Sequence, residues 1–265
     1  MLISSRSNER VKAVRSLKDR RERDGTGTFF AEGVRLVQAA LDHNAAIEQV
    51  VIAPDRLTEP DSALLDALTA RNLPLLEVTG EVFDSLSFRE ETQSVGAVVR
   101  QKRETLSLAG ETRRCWVALP EIQHPGNLGT VIRNCDAVGG DGVILVGRTT
   151  DPYHPIAVRG TLGAIFSQRI VRATEAEFAR WLAHCGCMVV GTSPAGDSDY
   201  RQLDYASRPV VLLMGSERIG LTPEQLALCD HLVRIPMAGY VESLNLSIAA
   251  ALVLYEVLRQ REPPP

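Results

Sequence analysis

The stretch Val241-Glu-Ser-Leu-Asn-Leu-Ser-Ile-Ala-Ala-Ala-Leu-Val-Leu-Tyr-Glu256 places a short polar segment, Ser243–Asn245, directly before an apolar run of helical length. Hydroxyl and amide side chains at this position are common helix caps, because they accept hydrogen bonds from free backbone N–H groups. Here, however, a strand-like segment at 232–237 and a turn at Gly239 come first. A strand, a tight turn and a helix with a polar start also form a natural ligand cradle. Cap and binding site are both open interpretations at this point.

A second segment with the same order of strand, turn and helix lies upstream, at Glu121-Ile-Gln-His-Pro-Gly-Asn-Leu-Gly-Thr-Val-Ile-Arg-Asn134. Asn127 is expected in the turn, where its side chain would cap the helix. Arg133 follows six residues later, nearly two turns into the helix. An arginine there can bind a phosphate in a bidentate manner. Alone, the segment is better explained by a capped helix with a surface arginine.

The third segment is Leu212-Leu-Met-Gly-Ser-Glu-Arg-Ile-Gly-Leu221. Gly215 at the end of an apolar strand would let a ligand approach the backbone closely, and ligands of open parallel sheets bind outside the carboxyl ends of strands. Glu217 at that rim could hold an arginine or a ligand group, or cap the next helix. Three segments of this kind in one domain together favour a binding site.

The remaining pattern predicts two α/β units. Residues 1–23 read as one basic amphipathic helix, and helices and strands then alternate up to residue 99. A polar stretch without periodicity follows, and a second α/β series begins at Cys115. Its fully apolar strand Val210–Met214 is typical of a parallel sheet covered on both faces. We therefore divide the chain into a domain at 1–100, a linker at 101–113 and a domain at 114–265.

Composition restricts the class of protein. The chain has 265 residues, and 45% of them are apolar, which suffices for a core. No apolar run reaches the roughly 18 residues of a membrane span, and the start lacks the apolar core of a signal peptide, which predicts a cytoplasmic protein. The five cysteines contain no C-x-x-C pair. This argues against a metal site and favours reduced thiols.

Charge is unevenly distributed. The chain carries a net charge of −4, yet residues 1–23 hold eight basic and three acidic side chains, a local charge of +5. A basic end on an acidic body indicates contact with phosphate groups, although a solvated helix face would have the same composition. The candidate contacts are Arg6, Arg10, Lys12, Arg15, Lys18, Arg20 and Arg21.

The sequence contains neither the G-x-G-x-x-G nor the G-x-x-x-x-G-K-[ST] motif of nucleotide-binding folds. Its strand-end segments instead resemble the motifs of the SpoU-type RNA ribose 2′-O-methyltransferases of the SPOUT superfamily. The resemblance covers residues 115–261, and residues 7–33 look more loosely like the substrate-binding domain that often precedes them. Arg218 departs from the family pattern, which often has a small residue there, and this bears on substrate choice. The matching motifs are Asn127-x-Gly129-x-x-x-Arg133, Gly215-x-Glu217-x-x-Gly220-Leu221, and Ile235-Pro-Met237 through Ser243-Leu-Asn245-x-Ser247.

The resemblance implies a parallel-sheet domain with a deep trefoil knot, which general topology rules would not predict. It also implies a homodimer, and a small α/β substrate-binding domain that resembles ribosomal-protein-like RNA binders and contacts RNA through the basic residues named above. S-adenosylmethionine would be the cofactor, without any metal. Its expected contacts are Gly215, Ile235 and Leu244, with Thr192, Met214 and Met237 as weaker candidates.

The resemblance implies Arg133 as the catalytic arginine, together with Asn127, Glu217, Ser243 and Asn245. Arginine has a pKa above about 12 and is a poor base. We therefore interpret Arg133 as a clamp on a neighbouring phosphate and on the hydroxyl, where it stabilises developing alkoxide. Ser243 and Asn245 would position the ribose or Arg133, Asn127 would hold the loop, and Glu217 would order the knot or orient a basic residue.

Two substrates and two other classes of protein remain to be compared. Ribosomal RNA of the 23S type is favoured over transfer RNA, because a separate substrate-binding domain is present. A catalytically silent RNA-binding or ribosome-assembly protein is the main alternative, and the intact Asn127, Arg133, Ser243 and Asn245 argue against it. A nucleotide-binding metabolic enzyme is disfavoured by the basic N-terminal segment.

Overall fold

The strands of the computed structural model, which describes residues 1–58, 61–88, 93–106 and 115–261, form two separate sheets. One compact unit contains Met1–Lys102 and Tyr153–Ser167, and the other contains Arg103–Pro152 and Gln168–Pro265. The sequence-based division assigned residues 153–167 to the C-terminal domain, whereas the structure groups them with the N-terminal unit. Residues 107–113 of the expected linker lie outside the described residues.

The N-terminal unit contains a four-stranded sheet in the order β1-β4-β2-β3, in which only the β2–β3 pair is parallel. A 3-10 turn at Pro54–Arg56 follows β2. Numbered along the chain, the elements are α1 (Glu9–Ser16), α2 (Arg20–Thr26), β1 (Thr28–Glu32), α3 (Val34–Asp42), β2 (Ile47–Ile52), α4 (Ser62–Ala70), β3 (Leu75–Glu77), α5 (Gly80–Leu86), β4 (Val95–Arg100), α7 (Pro155–Thr161) and α8 (Ala164–Ser167).

Residues 153–167 belong to this unit because of specific contacts. The Tyr153 ring lies 4.8 Å from the ring of Phe29, and its hydroxyl donates to the carbonyl of Lys102 at 2.7 Å. The Phe166 ring stacks on that of Phe29 with ring centroids 6.1 Å apart, and the Phe166 carbonyl accepts from the Lys102 ammonium at 2.5 Å. None of these contacts has a signal in the local sequence.

The single helix expected over residues 1–23 is wrong, because two caps divide it. Asn8 Oδ1 accepts from the N–H of Arg10 at the start of α1, and Asp19 Oδ1 accepts from the N–H of Arg21 at the start of α2. The second helix then carries Arg23 inward, where it is 1% exposed and donates to the carbonyls of Leu17 and Lys18 at 2.8 Å.

The second unit contains a seven-stranded sheet in the order β7-β6-β5-β10-β8-β11-β9, and every pair of neighbours is parallel. The expected parallel α/β architecture is therefore confirmed. Its elements are β5 (Cys115–Pro120), α6 (Pro125–Ala137), β6 (Gly142–Val146), β7 (Ile170–Ala173), α9 (Glu175–Cys185), β8 (Met188–Thr192), β9 (Ser198–Asp199), β10 (Val210–Met214), α10 (Pro223–Leu226), β11 (His231–Arg234) and α11 (Leu246–Arg261).

The centre of this sheet is fully apolar and covered on both faces. Every residue of β5, β6 and β10 is buried. Trp116 on β5 contacts Trp181 of α9 edge to face, with ring centroids 6.1 Å apart, and α11 packs against α6. Because neighbouring strands are parallel, their carboxyl ends meet at one edge of the sheet. No helix within the described residues has the length and apolar character needed to cross a membrane.

The buried arginine allows a test of the α1–α2 arrangement. Replacing Arg23 with Met keeps much of its aliphatic volume and removes the donor to two carbonyls. We expect the free energy of unfolding to fall by about 1–3 kcal/mol, because the carbonyls of Leu17 and Lys18 lose their hydrogen-bond donor where water cannot replace it. Urea unfolding followed by far-UV circular dichroism measures the change. Arg21→Met, on the exposed side of the same helix, is the control, and an equal effect of both variants would contradict the structural role of Arg23.

Candidate functional site

A cavity of about 840 Å³ lies in the second unit, where the segments after β5, β8, β10 and β11 converge. Its volume is in the usual range for small-molecule sites. The lining combines apolar side chains with a few polar groups and backbone. Ten of the residues singled out from the sequence contribute to the lining: Asn127, Thr192, Met214, Gly215, Glu217, Ile235, Met237, Ser243, Leu244 and Asn245.

A chain of side-chain hydrogen bonds joins three of the converging segments. Asn127 Nδ2 donates to Glu217 Oε1 at 3.0 Å, and Asn245 Nδ2 donates to Asn127 Oδ1 at 3.0 Å. The second Glu217 oxygen accepts from the backbone N–H of Gln123 at 3.5 Å. The loop after β5, the loop after β10 and the start of α11 are therefore tied to one another at the cavity.

Asn127 does not cap its helix. α6 begins two residues earlier, at Pro125, and its N-cap is His124, whose Nδ1 accepts from the backbone N–H of Asn127 at 3.4 Å. The proline starts the helix because its fixed φ and missing N–H suit the first turn. Asn127 thus lies inside that turn, which leaves its amide side chain available for Glu217 and Asn245.

Asn245 caps a helix and also lines the cavity. Its Oδ1 accepts from the backbone N–H of Ser247 at 2.9 Å and from the Ser247 hydroxyl at 2.6 Å, so it caps the start of α11. Its Nδ2 is directed to Asn127 on the cavity side. The cap therefore fixes the orientation of the amide that the cavity presents.

A tight hairpin follows β10. The backbone N–H of Ser216 donates to Gly220 O at 3.0 Å and the N–H of Gly220 donates back to Ser216 O at 3.0 Å, with φ +70° at Gly220. A Cβ added to Gly215 would lie 2.3 Å from the carbonyl carbon of Gly220 and 2.5 Å from the N of Leu221. The hairpin therefore occupies the Cβ side of Gly215 and requires a glycine there, while the Gly215 backbone still lines the cavity, so the expected approach of a ligand to it stays a prediction.

Among the catalytic and cofactor-binding candidates, Arg133 alone does not line the cavity of its own chain. It lies six residues after Asn127 on α6, which corresponds to about 240° around the helix axis and about 9 Å along it. Its side chain is exposed. Among the described residues, none forms a hydrogen bond or ion pair with it.

The basic candidates of the N-terminal unit differ in how free they are. The Lys18 ammonium donates to the carbonyls of Ser85 and Ser87 at 3.1 and 2.7 Å and lies over the Phe88 ring, and burial lowers its pKa. It has a structural role. The remaining six lie on or near the surface, where four of them also have partners: Arg10 donates to the carbonyl of Leu75, Lys12 pairs with Glu9, Arg15 donates to the carbonyl of Arg6, and Arg20 pairs with Asp24. The other two are Arg6 and Arg21.

Several lining residues were not selected from the sequence. They include Ile219 at the hairpin tip and Ser193 and Pro194 after β8, whereas the lining residue Arg218 is the departure from the family pattern that was expected to bear on substrate choice. Their neighbours Glu217 and Thr192 were selected, so adjacency to a motif was the available signal.

Within the described ranges, no group of three or more His, Cys, Asp and Glu residues is placed to hold a metal ion. The five cysteines are free thiols.

Comparisons with known proteins cover nearly the whole chain. Residues 114–255 match the SpoU rRNA Methylase family, and residues 8–97 match the MRM3-like substrate binding domain. An AdoMet-bound rRNA methyltransferase structure from Sinorhizobium meliloti superposes with a TM-score of 0.88 at 40% identity, covering 98% of this chain and 97% of that one.

Two curated relatives have specific names. The 23S rRNA (uridine(2479)-2'-O)-methyltransferase of Streptomyces viridochromogenes is 32% identical over 92% of this chain and 87% of its own. The 23S rRNA (guanosine(2553)-2'-O)-methyltransferase RlmP of Bacillus subtilis is 28% identical over 96% of this chain and 98% of its own.

The packing of the hairpin predicts that alanine substitutions at two glycines differ in their effect on stability. Gly215→Ala should lower the free energy of unfolding by about 1–3 kcal/mol, because the new methyl group overlaps the backbone of the hairpin. Gly239→Ala is the matched control, since a Cβ there meets nothing within 4 Å. Thermal melting of both variants measures the difference. Equal melting temperatures would show that the hairpin can move without cost.

Proposed function

The chain belongs to the SpoU rRNA methylase family, and on this premise we propose that it transfers the methyl group of S-adenosylmethionine to a ribose 2′-hydroxyl of large-subunit ribosomal RNA. The observation that carries the proposal is the likeness along the whole chain to an AdoMet-bound rRNA methyltransferase. The two relatives named for 23S rRNA favour ribosomal over transfer RNA. This substrate also implies a cytoplasmic enzyme.

The cavity fits S-adenosylmethionine in size and chemistry. Its volume of about 840 Å³ accommodates a nucleoside with an amino-acid tail, and its lining is mainly apolar with backbone groups at strand ends. When bound, S-adenosylmethionine supplies a methyl group activated by the positive charge of its sulfonium. The residues proposed to hold it are Thr192, Met214, Gly215, Ile235, Met237 and Leu244.

The protein's own task is to prepare the ribose hydroxyl, which is a poor nucleophile until its proton is being lost. We assign this to Arg133 as an electrostatic clamp on the adjoining phosphate and the developing alkoxide. Ser243 and Asn245 would position the ribose. The amide orientation of Asn245 is set by its cap bonds to Ser247, while Asn127 and Glu217 hold the loops that frame the ribose.

Arg133 does not line its own cavity, and this supports a homodimer in which it serves the partner's site. The exposed side of α11 carries an apolar stripe at Ile248, Leu252 and Tyr255, which are 49%, 37% and 53% exposed. These residues follow a helical spacing of four and three. Because α11 packs against α6, which carries Arg133, a partner seated on the stripe would lie near this arginine.

The knot of the family is also part of the proposal. β11 lies between β8 and β9, and the segment after β8 runs closely along β11. The N–H of Ser193 donates to Val233 O at 3.0 Å, and that of Asp197 donates to Leu232 O at 3.1 Å. A Cβ on Gly196 would lie only 2.5 Å from the carbonyl carbon of Val233. Such close packing of the two segments supports a threaded arrangement.

The N-terminal unit would bind the RNA, in line with its match to a substrate binding domain. The basic residues Arg6, Arg10, Lys12, Arg15, Arg20 and Arg21, of which Arg15 is half-buried and the others are exposed, are proposed to contact phosphates, which makes affinity fall as salt rises. Lys18 is not proposed as a phosphate contact, because its ammonium donates to the carbonyls of Ser85 and Ser87.

Transfer of labelled methyl groups tests the activity. The wild-type protein, incubated with labelled S-adenosylmethionine and total RNA, should label large-subunit ribosomal RNA and create one alkali-resistant linkage. Arg133→Ala should lower turnover by about 10²-fold or more, because the alkoxide loses its stabilising charge. Binding of S-adenosylmethionine by calorimetry should stay near the wild-type value. Label only in transfer RNA, or full turnover without Arg133, would refute the respective assignment.

Mixed dimers test whether Arg133 acts on the partner's cavity. Arg133→Ala and Ser243→Trp, which fills the cavity from an exposed position, should each inactivate the homodimer. A purified heterodimer of the two variants retains one intact site, so its activity should be about half that of wild type. A heterodimer as inactive as its parents would place Arg133 in its own chain's site, and a monomer in sedimentation would exclude the dimer.

A further inference from the structure

The hairpin after β10 presents two side chains at the mouth of the cavity. Its ends are locked by the paired backbone bonds of Ser216 and Gly220, and its base packs on Gly215 without room for a Cβ. Glu217 is turned toward Asn127 and the backbone of Gln123. Arg218 and Ile219 therefore form the tip of the hairpin, and the Ser216–Gly220 bonds and the packing at Gly215 fix its base.

Neither tip residue is used by the rest of the unit. Arg218 is exposed, and no described residue bonds or ion-pairs with it. Ile219 is 70% exposed, although it is a branched apolar side chain. Both line the cavity. An unpartnered guanidinium beside an exposed apolar side chain, fixed at the edge of a cavity, is the composition of a recognition surface rather than of a packing element.

The charges around the cavity give Arg218 a particular importance. Among the described residues that line it, Arg218 is the single lysine or arginine, while Glu217 and Glu242 are carboxylates. Without Arg218 the lining would repel a phosphate diester. A ribose cannot reach the cavity without bringing its two flanking phosphates, and Arg133 is proposed to bind one of them, so a cation at this rim would be available for the other.

We propose that Arg218 and Ile219 form a substrate-positioning tip. The Arg218 guanidinium binds a phosphate that adjoins the target ribose, where planar N–H groups suit phosphate oxygens. Ile219 packs against the face of an unstacked base next to it, since RNA is recognised mainly through unpaired nucleotides. The inference rests on the proposed function and adds the residues that select and orient the nucleotide within that site.

The test uses the full-length protein and large-subunit ribosomal RNA transcribed in vitro. Filter binding over a KCl series gives the salt dependence of RNA affinity, methyl transfer gives kcat and KM, and calorimetry gives the Kd of S-adenosylmethionine. Arg218→Gln should raise the RNA KM about tenfold, as expected for loss of one charge-assisted bond. The slope of log affinity against log salt should become shallower by about 0.7–0.9.

Controls separate charge from shape. Arg218→Lys should keep the wild-type salt slope and recover part of the KM, because it keeps the charge without the planar fork. Ile219→Ser should raise the KM severalfold and leave the slope unchanged. Arg180→Gln removes an exposed arginine of α9 that does not line the cavity, and it should match the wild type in KM and Kd.

Each outcome bears on the inference separately from the activity. An unchanged salt slope and KM in Arg218→Gln would overturn it. A Kd for S-adenosylmethionine raised tenfold with unaltered RNA binding would overturn it as well, and would assign Arg218 to the carboxylate of the methyl donor. Failure of wild-type methyl transfer would refute the proposed function, while the salt slopes from filter binding would still decide the role of the tip.

Discussion

The arrangement of the cavity depends on a series of hydrogen bonds made by the side-chain amides of Asn245 and Asn127. An asparagine side chain has a donor end and an acceptor end, so each bond in the series fixes the next. The Ser247 backbone N–H holds the oxygen of Asn245, which turns its nitrogen to Asn127, and the nitrogen of Asn127 then faces Glu217. Each such bond contributes only about 1 kcal/mol. Their importance is that three loops from distant parts of the chain must adopt one mutual arrangement before all are satisfied.

The second unit was well predicted wherever local chemistry decides an element. β10 has the predicted bounds Val210–Met214, because its apolar run ends at a turn, and α9 starts where the Thr174–Glu177 capping box satisfies its first backbone N–H groups. The cavity residues were found for a related reason: they follow parallel strands, and strand ends meet at one edge. The conformation of the hairpin tip was not predictable, because it depends on backbone packing at Gly215, and the sequence did not show that Arg133 lies outside the lining of the cavity.

The N-terminal unit shows the limit of reading charge from sequence. Its first 23 residues carry eight basic side chains, but several of them bond within the fold. Arg23 donates to carbonyls in the interior, Lys18 donates to two carbonyls beside Phe88, and Arg10 and Arg15 each donate to one carbonyl. A count of charges therefore overestimates the cations available to a ligand. Asp19 caps the start of α2, the helix that carries Arg23 inward. A count of charges treats Asp19 only as one acidic residue and does not reveal this cap.

The grouping of residues 153–167 with the N-terminal unit has a consequence during synthesis. Those residues lie between β6 and β7, so the polypeptide leaves the first unit after Lys102 and returns to it at Tyr153. On the ribosome, the first unit cannot form its last two helices until residues 153–167 have emerged, and these fifteen residues are synthesised after the first part of the second unit. Its aromatic cluster must wait for Phe166, with Phe29 already outside the exit tunnel. A nascent chain stalled shortly before residue 153 would hold that ring exposed, a natural attachment point for a chaperone.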